Sequence, residues 1–470
     1  MVGERIFAAA LAALMASAPA AAVTDAEFSE LRVQLKQLKE QYEKRIQALE
    51  QRLGEAERAV ARTGQQAERA ETAASAPPPL APSAARASPS ALNPEISLIL
   101  SGTYYNSSQD PNKAGITGFI PPGNDFKPGT RGFSLNDTEL TISGAVDPYF
   151  RAQATIGVTP QNAAEIEEAY FQTLSLPYGL GLKGGRYFSS IGYLNQVHPH
   201  AWDFVDAPLV YQAYWGQNLA IDGAQVAWVA PTDTYVRLGL EFGQGKNLPG
   251  EGFREKNGTG TGTLYLQIGD DIGRESSYLA GISVFQTSNK GTDGLTFNTQ
   301  DPAGNAVQDT FTGTTTIAGG YFVYKWAPNR DPARSGLKLQ AEYYQRRQNG
   351  DLAYDVGNTT GMGDVTGAAK RRQAGWYGQA VYKFDPRWRA GVRYDRLTTL
   401  STNLAPQLTG LVSTPDYNPW RASAMVDWSL TEFSRLRLQY SYSRALQGLG
   451  DNQLFLQYIM SLGPHGAHPF

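Results

Sequence analysis

The residues best suited to chemistry are arginines and lysines that recur on one face of alternating segments. In WRAGVRYDRL (388–397), Arg389 and Arg393 share a face, and Lys383 stands on the preceding segment. Guanidinium groups held close together bind anions, because each presents a planar fork that meets phosphate or carboxylate through two hydrogen bonds. Parity along the other segments adds Arg151, Lys183, Arg237, Lys325, Lys338, Arg346, Arg421 and Arg437 to that side, against the acids Glu139, Glu168, Glu241, Glu342 and Asp427. The surplus is basic although the whole chain carries a formal charge of -3, too small to name a nucleic-acid partner.

His198-Pro199-His200 is a second candidate, for metal binding. The remaining histidines, His465 and His468, fall in the C-terminal tail, and two imidazoles without a placed third ligand make no site, so neither metal nor cofactor is expected. The chain has no cysteine, which excludes disulfides, thiolate metal sites and cysteine nucleophiles together. No strand-like segment holds a histidine to serve as general base for a serine hydrolase, so no enzyme activity is expected. GTGTGT (258–263) follows no strand-to-helix pattern and reads as an external loop, not a phosphate cradle.

These residues are carried on segments written with period 2. Near the C-terminus, Leu436, Leu438, Tyr440 and Tyr442 alternate with Arg437, Gln439, Ser441 and Ser443, and Leu454 to Leu462 repeats the rhythm. Such segments are strands with one apolar and one polar face, each near the ten residues that cross a bilayer when tilted. From Glu95 to Gly463 about sixteen of them follow one another, joined alternately by long and short connections. This predicts an all-β fold: a transmembrane antiparallel β-barrel whose polar face lines a lumen. Long connections would be extracellular and short ones periplasmic.

One long connection, 188–218, is dense in aromatics: Trp202, Tyr211, Tyr214 and Trp215, with His198, His200, Asp203 and Asp206 among them. It is expected to fold inward and narrow the pore; the alternative places its aromatics in a girdle at the outer interface.

Ahead of the barrel, residues 1–22 read as a signal peptide, with Arg5 before an apolar run and small residues at Ala20 and Ala22. Residues 24–71 carry a heptad stripe, Phe28, Leu35, Tyr42, Leu49 and Ala56, which predicts a periplasmic α-helical coiled coil, or else a lone amphipathic helix. The Pro/Ala/Ser-rich stretch 72–94 is a linker, and 464–470 a periplasmic tail. The address is the bacterial outer membrane, with lipid as the first partner.

GFSLNDTELTISGAVDPYFRAQATIGV (132–158) followed by IEEAYFQTLSLPYGLGLKGGRYF (166–188) resembles the phosphate-selective porins O and P of Gram-negative outer membranes. The matching positions are Asp147 to Phe150, Glu167 to Tyr170 and Gly185 to Phe188. The segment after Phe188 departs from the short proline-containing continuation of that family. The resemblance implies a sixteen-stranded, trimeric channel for anions. The expected function is therefore a diffusion channel for small solutes, anions first. Two alternatives stay open: an uptake pore for sugars or organic acids, and a barrel tethered to the cell wall through its coiled coil.

Overall fold

The computed structural model describes residues 94–110, 115–119, 131–135, 138–158, 164–245, 258–289, 294–363 and 365–463. The predicted signal peptide, coiled coil and tail, and all but the last residue of the linker, lie outside them.

Among the described residues, eighteen strands form one antiparallel sheet: β1 (Glu95–Ser107), β2 (Gly132–Leu135), β3 (Thr138–Ala145), β4 (Phe150–Val158), β5 (Ala164–Thr173), β6 (Leu180–Phe188), β7 (Ala220–Val229), β8 (Tyr235–Gly243), β9 (Thr261–Ile272), β10 (Ser276–Asn289), β11 (Leu295–Gln300), β12 (Ala306–Trp326), β13 (Gly336–Tyr354), β14 (Val365–Asp385), β15 (Trp388–Leu404), β16 (Trp420–Thr431), β17 (Ser434–Arg444) and β18 (Asp451–Leu462). The sheet closes on itself because β1 pairs with β18 along one edge and with β2 and β3 along the other. Strands β2 and β3 are two halves of one barrel stave, and β11 pairs only with the outer end of β12, while β10 pairs directly with β12. The wall therefore has sixteen staves, two fewer than the eighteen strands.

The staves have apolar outer faces. On β9, Leu264, Leu266 and Ile268 are 53, 38 and 40% exposed, whereas Thr263, Tyr265 and Gln267 between them are 1, 2 and 4% exposed. A water-soluble sheet would show the reverse, so this outer face meets hydrocarbon. Thr261 and Thr263 keep the same phase, so the second half of the glycine–threonine run begins β9 and corrects the reading of 258–263 as external loop.

Tight turns gather at one rim. Between β3 and β4, the Asp147 carboxylate accepts hydrogen bonds from the backbone N–H groups of Tyr149 and Phe150 at 2.7 and 2.8 Å. Between β9 and β10, Gly273 takes a φ of 68°, which glycine adopts without steric cost. Glu95 of β1 and Leu462 of β18 sit at this same rim, since they pair near Ser143 and Leu98.

At the opposite rim, β12 to β15 run to 21, 19, 21 and 17 residues, well beyond the roughly ten a bilayer requires. With β11 they enclose a small core of their own, which includes Phe297, Val307, Phe311, Leu352 and Tyr354.

Candidate pore constriction

Segment 189–219, between β6 and β7, lies inside the barrel. Its one α-helix, α1 (Leu209–Trp215), packs against β14 and β15, and Val210, Tyr211 and Ala213 are fully buried. The absence of a side chain on Gly375 of β14 permits this approach: a Cβ there would lie 2.6 Å from Val210 Cγ2.

Wall groups on many staves hold the segment in place. At its start, the β8 carboxylate of Glu241 accepts from the Ser190 N–H at 2.8 Å and from the Ser189 hydroxyl at 2.5 Å. Glu342 of β13 accepts from Leu194 N–H at 2.9 Å, from the phenols of Tyr211 and Tyr377 at 2.9 and 2.6 Å, and from that of Tyr344 at 2.5 Å. Several luminal tyrosines are thus consumed around one carboxylate.

The two aspartates carry the charge pairing. Asp203 accepts from Lys338 Nζ at 3.0 Å and Arg389 Nη1 at 2.8 Å, while Arg389 Nε donates to Asp427 at 2.7 Å. Asp206 meets Arg393 Nη2 at 2.8 Å and Arg421 Nη1 at 2.5 Å, and both arginines also face Asp395, at 3.1 and 3.6 Å. Arg437 joins Asp427 at 2.8 Å and donates to the Trp202 carbonyl at 2.8 Å; Arg435 donates to the His200 carbonyl at 2.5 Å. Burial alone would push Asp203 and Asp206 up. Lys338 and Arg389 outweigh it at Asp203, as Arg421 and Arg393 do at Asp206, and hold both carboxyls below the usual range.

Arg389, Arg393, Arg421, Arg437 and Lys338 therefore stand together and anchor the segment. Arg346 lies apart, donating to the Ala213 carbonyl at 3.1 Å and to Gln373 at 2.5 Å. Lys325 and Lys383 occupy ladder positions opposite Lys338 and Arg389 respectively, Lys383 being the cross-strand partner of both Gly336 and Arg389. Arg151, Lys183 and Arg237 line a separate cavity of about 520 Å³ toward the short-turn rim, together with Glu95, Glu139, Glu168 and His198. Arg151 donates to Ser143 at 2.8 Å, Lys183 lies 4.4 Å from the Tyr170 ring centroid, and Arg237 donates to Gln225 at 3.1 Å. Trp202 is buried and donates to the Val197 carbonyl at 2.8 Å.

His198 and His200 point at the wall, where Glu139 of β3 and Glu168 of β5 receive them at 3.0 Å each. Asp395, Arg435 and Gln439 also contact the inward segment, and the sequence does not single them out. Parity offered the signal, since Asp395 lies two residues from Arg393, and Arg435 and Gln439 flank Arg437 at the same spacing.

A closed antiparallel barrel with an apolar outer belt and a wall-anchored segment in its lumen defines a porin-type β-barrel membrane protein. No family model matches the sequence. A protein of Aquifex aeolicus (strain VF5), described as uncharacterized, is 33% identical over 369 residues, which cover 72% of this chain and 70% of its own length. The chain belongs to the same family as that protein. Among solved structures, it is similar to an anion-selective porin from Comamonas acidovorans (TM-score 0.48, 9% identity, 79% of this chain and 99% of the other). It is also similar to the trimer form of OmpT, an outer membrane protein of Vibrio cholerae (TM-score 0.47, 10% identity, 79% and 99%), and to the outer membrane channel DcaP of Acinetobacter baumannii (TM-score 0.44, 13% identity, 78% and 97%).

Proposed function

We propose that the chain is an outer-membrane diffusion channel that prefers small anions, with segment 189–219 setting the size limit. The observation that supports this is the charge left after pairing. Within the ion-pair cluster around Asp203 and Asp206, four carboxylates, those of Asp203, Asp206, Asp395 and Asp427, stand among six cations, Lys338, Arg389, Arg393, Arg421, Arg435 and Arg437, while Glu241 and Glu342 hold the segment elsewhere through neutral donors. Two positive charges remain in surplus, and fixed positive charge beside a narrow water path lowers the barrier for anions.

The short-turn rim faces the periplasm in this reading, homotrimers form in the membrane, and the predicted coiled coil, 24–71, is periplasmic. A sugar slide requires exposed luminal aromatics, whereas Tyr211, Tyr344 and Tyr377 are buried around Glu342. Phosphate is the first anion to test, because the sequence resembles the phosphate-selective porins.

The test is the reversal potential of the full chain in a planar bilayer under a potassium chloride gradient, with phosphate and a sugar as competing solutes. The expected potential has the sign of anion preference, and phosphate reduces the chloride current more than sugar does. Cation preference, or no conductance, would overturn the proposal.

A further inference from the structure

We infer that Glu139, His198 and His200 form a binding site for a divalent transition-metal cation, clipping the inward segment to the barrel wall. One donor atom from each of these residues lies within 4.8 Å of the others. The edges of a tetrahedral site with bonds near 2.1 Å are roughly 3.4 Å, so the donors close by at most about 1.4 Å to seat an ion. Glu139 spans the two imidazoles, with Oε2 3.0 Å from His198 Nδ1 and Oε1 3.0 Å from His200 Nδ1.

The orientation of His198 carries the inference. Its Nε2 makes a hydrogen bond of 3.0 Å with Glu168 Oε2, and Glu168 is itself fixed by the Phe188 N–H at 3.0 Å. Its Nδ1 is buried and lies 3.0 Å from Glu139 Oε2 and 3.4 Å from Glu167 Oε2, within ion-pair range of both but poorly aligned for a hydrogen bond to either. A buried nitrogen surrounded by carboxylates but out of line with them is placed to give its lone pair to a cation. The opposite nitrogen on a carboxylate is the arrangement that fixes the tautomer of a metal-bound histidine.

Glu167 Oε2 lies 3.4 Å from His198 Nδ1, so a second carboxylate is at hand. Three carboxylates, those of Glu139, Glu167 and Glu168, lie against His198, and coordination of a divalent cation would displace any proton its imidazole carries. Two imidazoles select a first-row transition metal over calcium or magnesium, which prefer all-oxygen shells. The cavity of about 520 Å³ that Glu139, Glu168 and His198 border supplies the entry path.

The site is independent of whether the channel conducts. Its test is equilibrium dialysis of the full chain, folded in detergent, against Zn²⁺, with Co²⁺ absorption as a second readout on the unmodified protein. The C-terminal His465 and His468 are the obvious confounders, so His465→Gln with His468→Gln serves as control. The expected result is one saturable Zn²⁺ per chain, a Co²⁺ spectrum of nitrogen and oxygen ligation displaced by Zn²⁺, and both unchanged in the tail variant. Glu139→Gln and His198→Gln should abolish binding, and Glu168→Gln should weaken it about tenfold or more. Absence of saturable binding or of the Co²⁺ spectrum in the unmodified chain would overturn the proposal, as would binding that is lost only in the tail variant.

Discussion

Replacing Asp203 and Asp206 together with alanine should raise single-channel conductance about twofold or more, because the inward segment loses the charges that hold it across the lumen. Asp203 is shared by Lys338 and Arg389, and Asp206 by Arg393 and Arg421. Removing one partner of a buried pair leaves the other charged and desolvated, which costs about 3–5 kcal/mol. The Arg393 side chain is only 2% exposed and that of Arg389 25%, so Asp206→Ala should lower the urea midpoint of unfolding more than Asp203→Ala. Unchanged conductance in the double variant would show that these contacts do not set the pore.

The second large effect belongs to the outer face. Leu266, between Leu264 and Ile268 on the outward side of β9, should tolerate phenylalanine but not arginine. A charge there must enter hydrocarbon, at about 2–4 kcal/mol near the bilayer midplane. Folding into lipid vesicles, followed by urea titration, should show that loss for Leu266→Arg and little change for Leu266→Phe. Equal stability for both would mean that this face is not against lipid.

The barrel was legible because lipid outside and a polar lining inside impose strict alternation on each stave, as in Leu264 to Ile268 or Leu436 to Tyr442. All sixteen staves have counterparts among the strand-like segments. Where the wall leaves the membrane, the signal fails. The outer end of β12, with Thr310, Thr312 and Thr314 to Thr316, carries no apolar stripe on its outer side, so the alternation is readable only from about Ile317 although the strand begins at Ala306. The hairpin with β11 was missed for the same reason.

The inward segment was legible in part. The aromatic density of 188–218 and the parity of Arg389 and Arg393 are local properties. Their pairing is not: Asp203 and Arg389 are 186 residues apart, and only closure of the barrel brings them together. The arginines that read as bare anion ligands turn out to share their charge with aspartates of the inward segment. Likewise, His198 and His200 lacked a third ligand in the sequence because Glu139 lies 61 residues from His200 on another stave.

Segment 189–219 occupies the lumen against β13 to β17. Since the chain has no cysteine, paired substitutions report on this without background. Asp203→Cys with Arg389→Cys, treated in native outer membranes with a short thiol-specific cross-linker, should yield an intrachain link between those two peptides by mass spectrometry. Asp203→Cys with Val392→Cys, on the outward face of the same strand, should not. No link in the first pair, with both thiols freely labelled by a bulky water-soluble reagent, would contradict the placement.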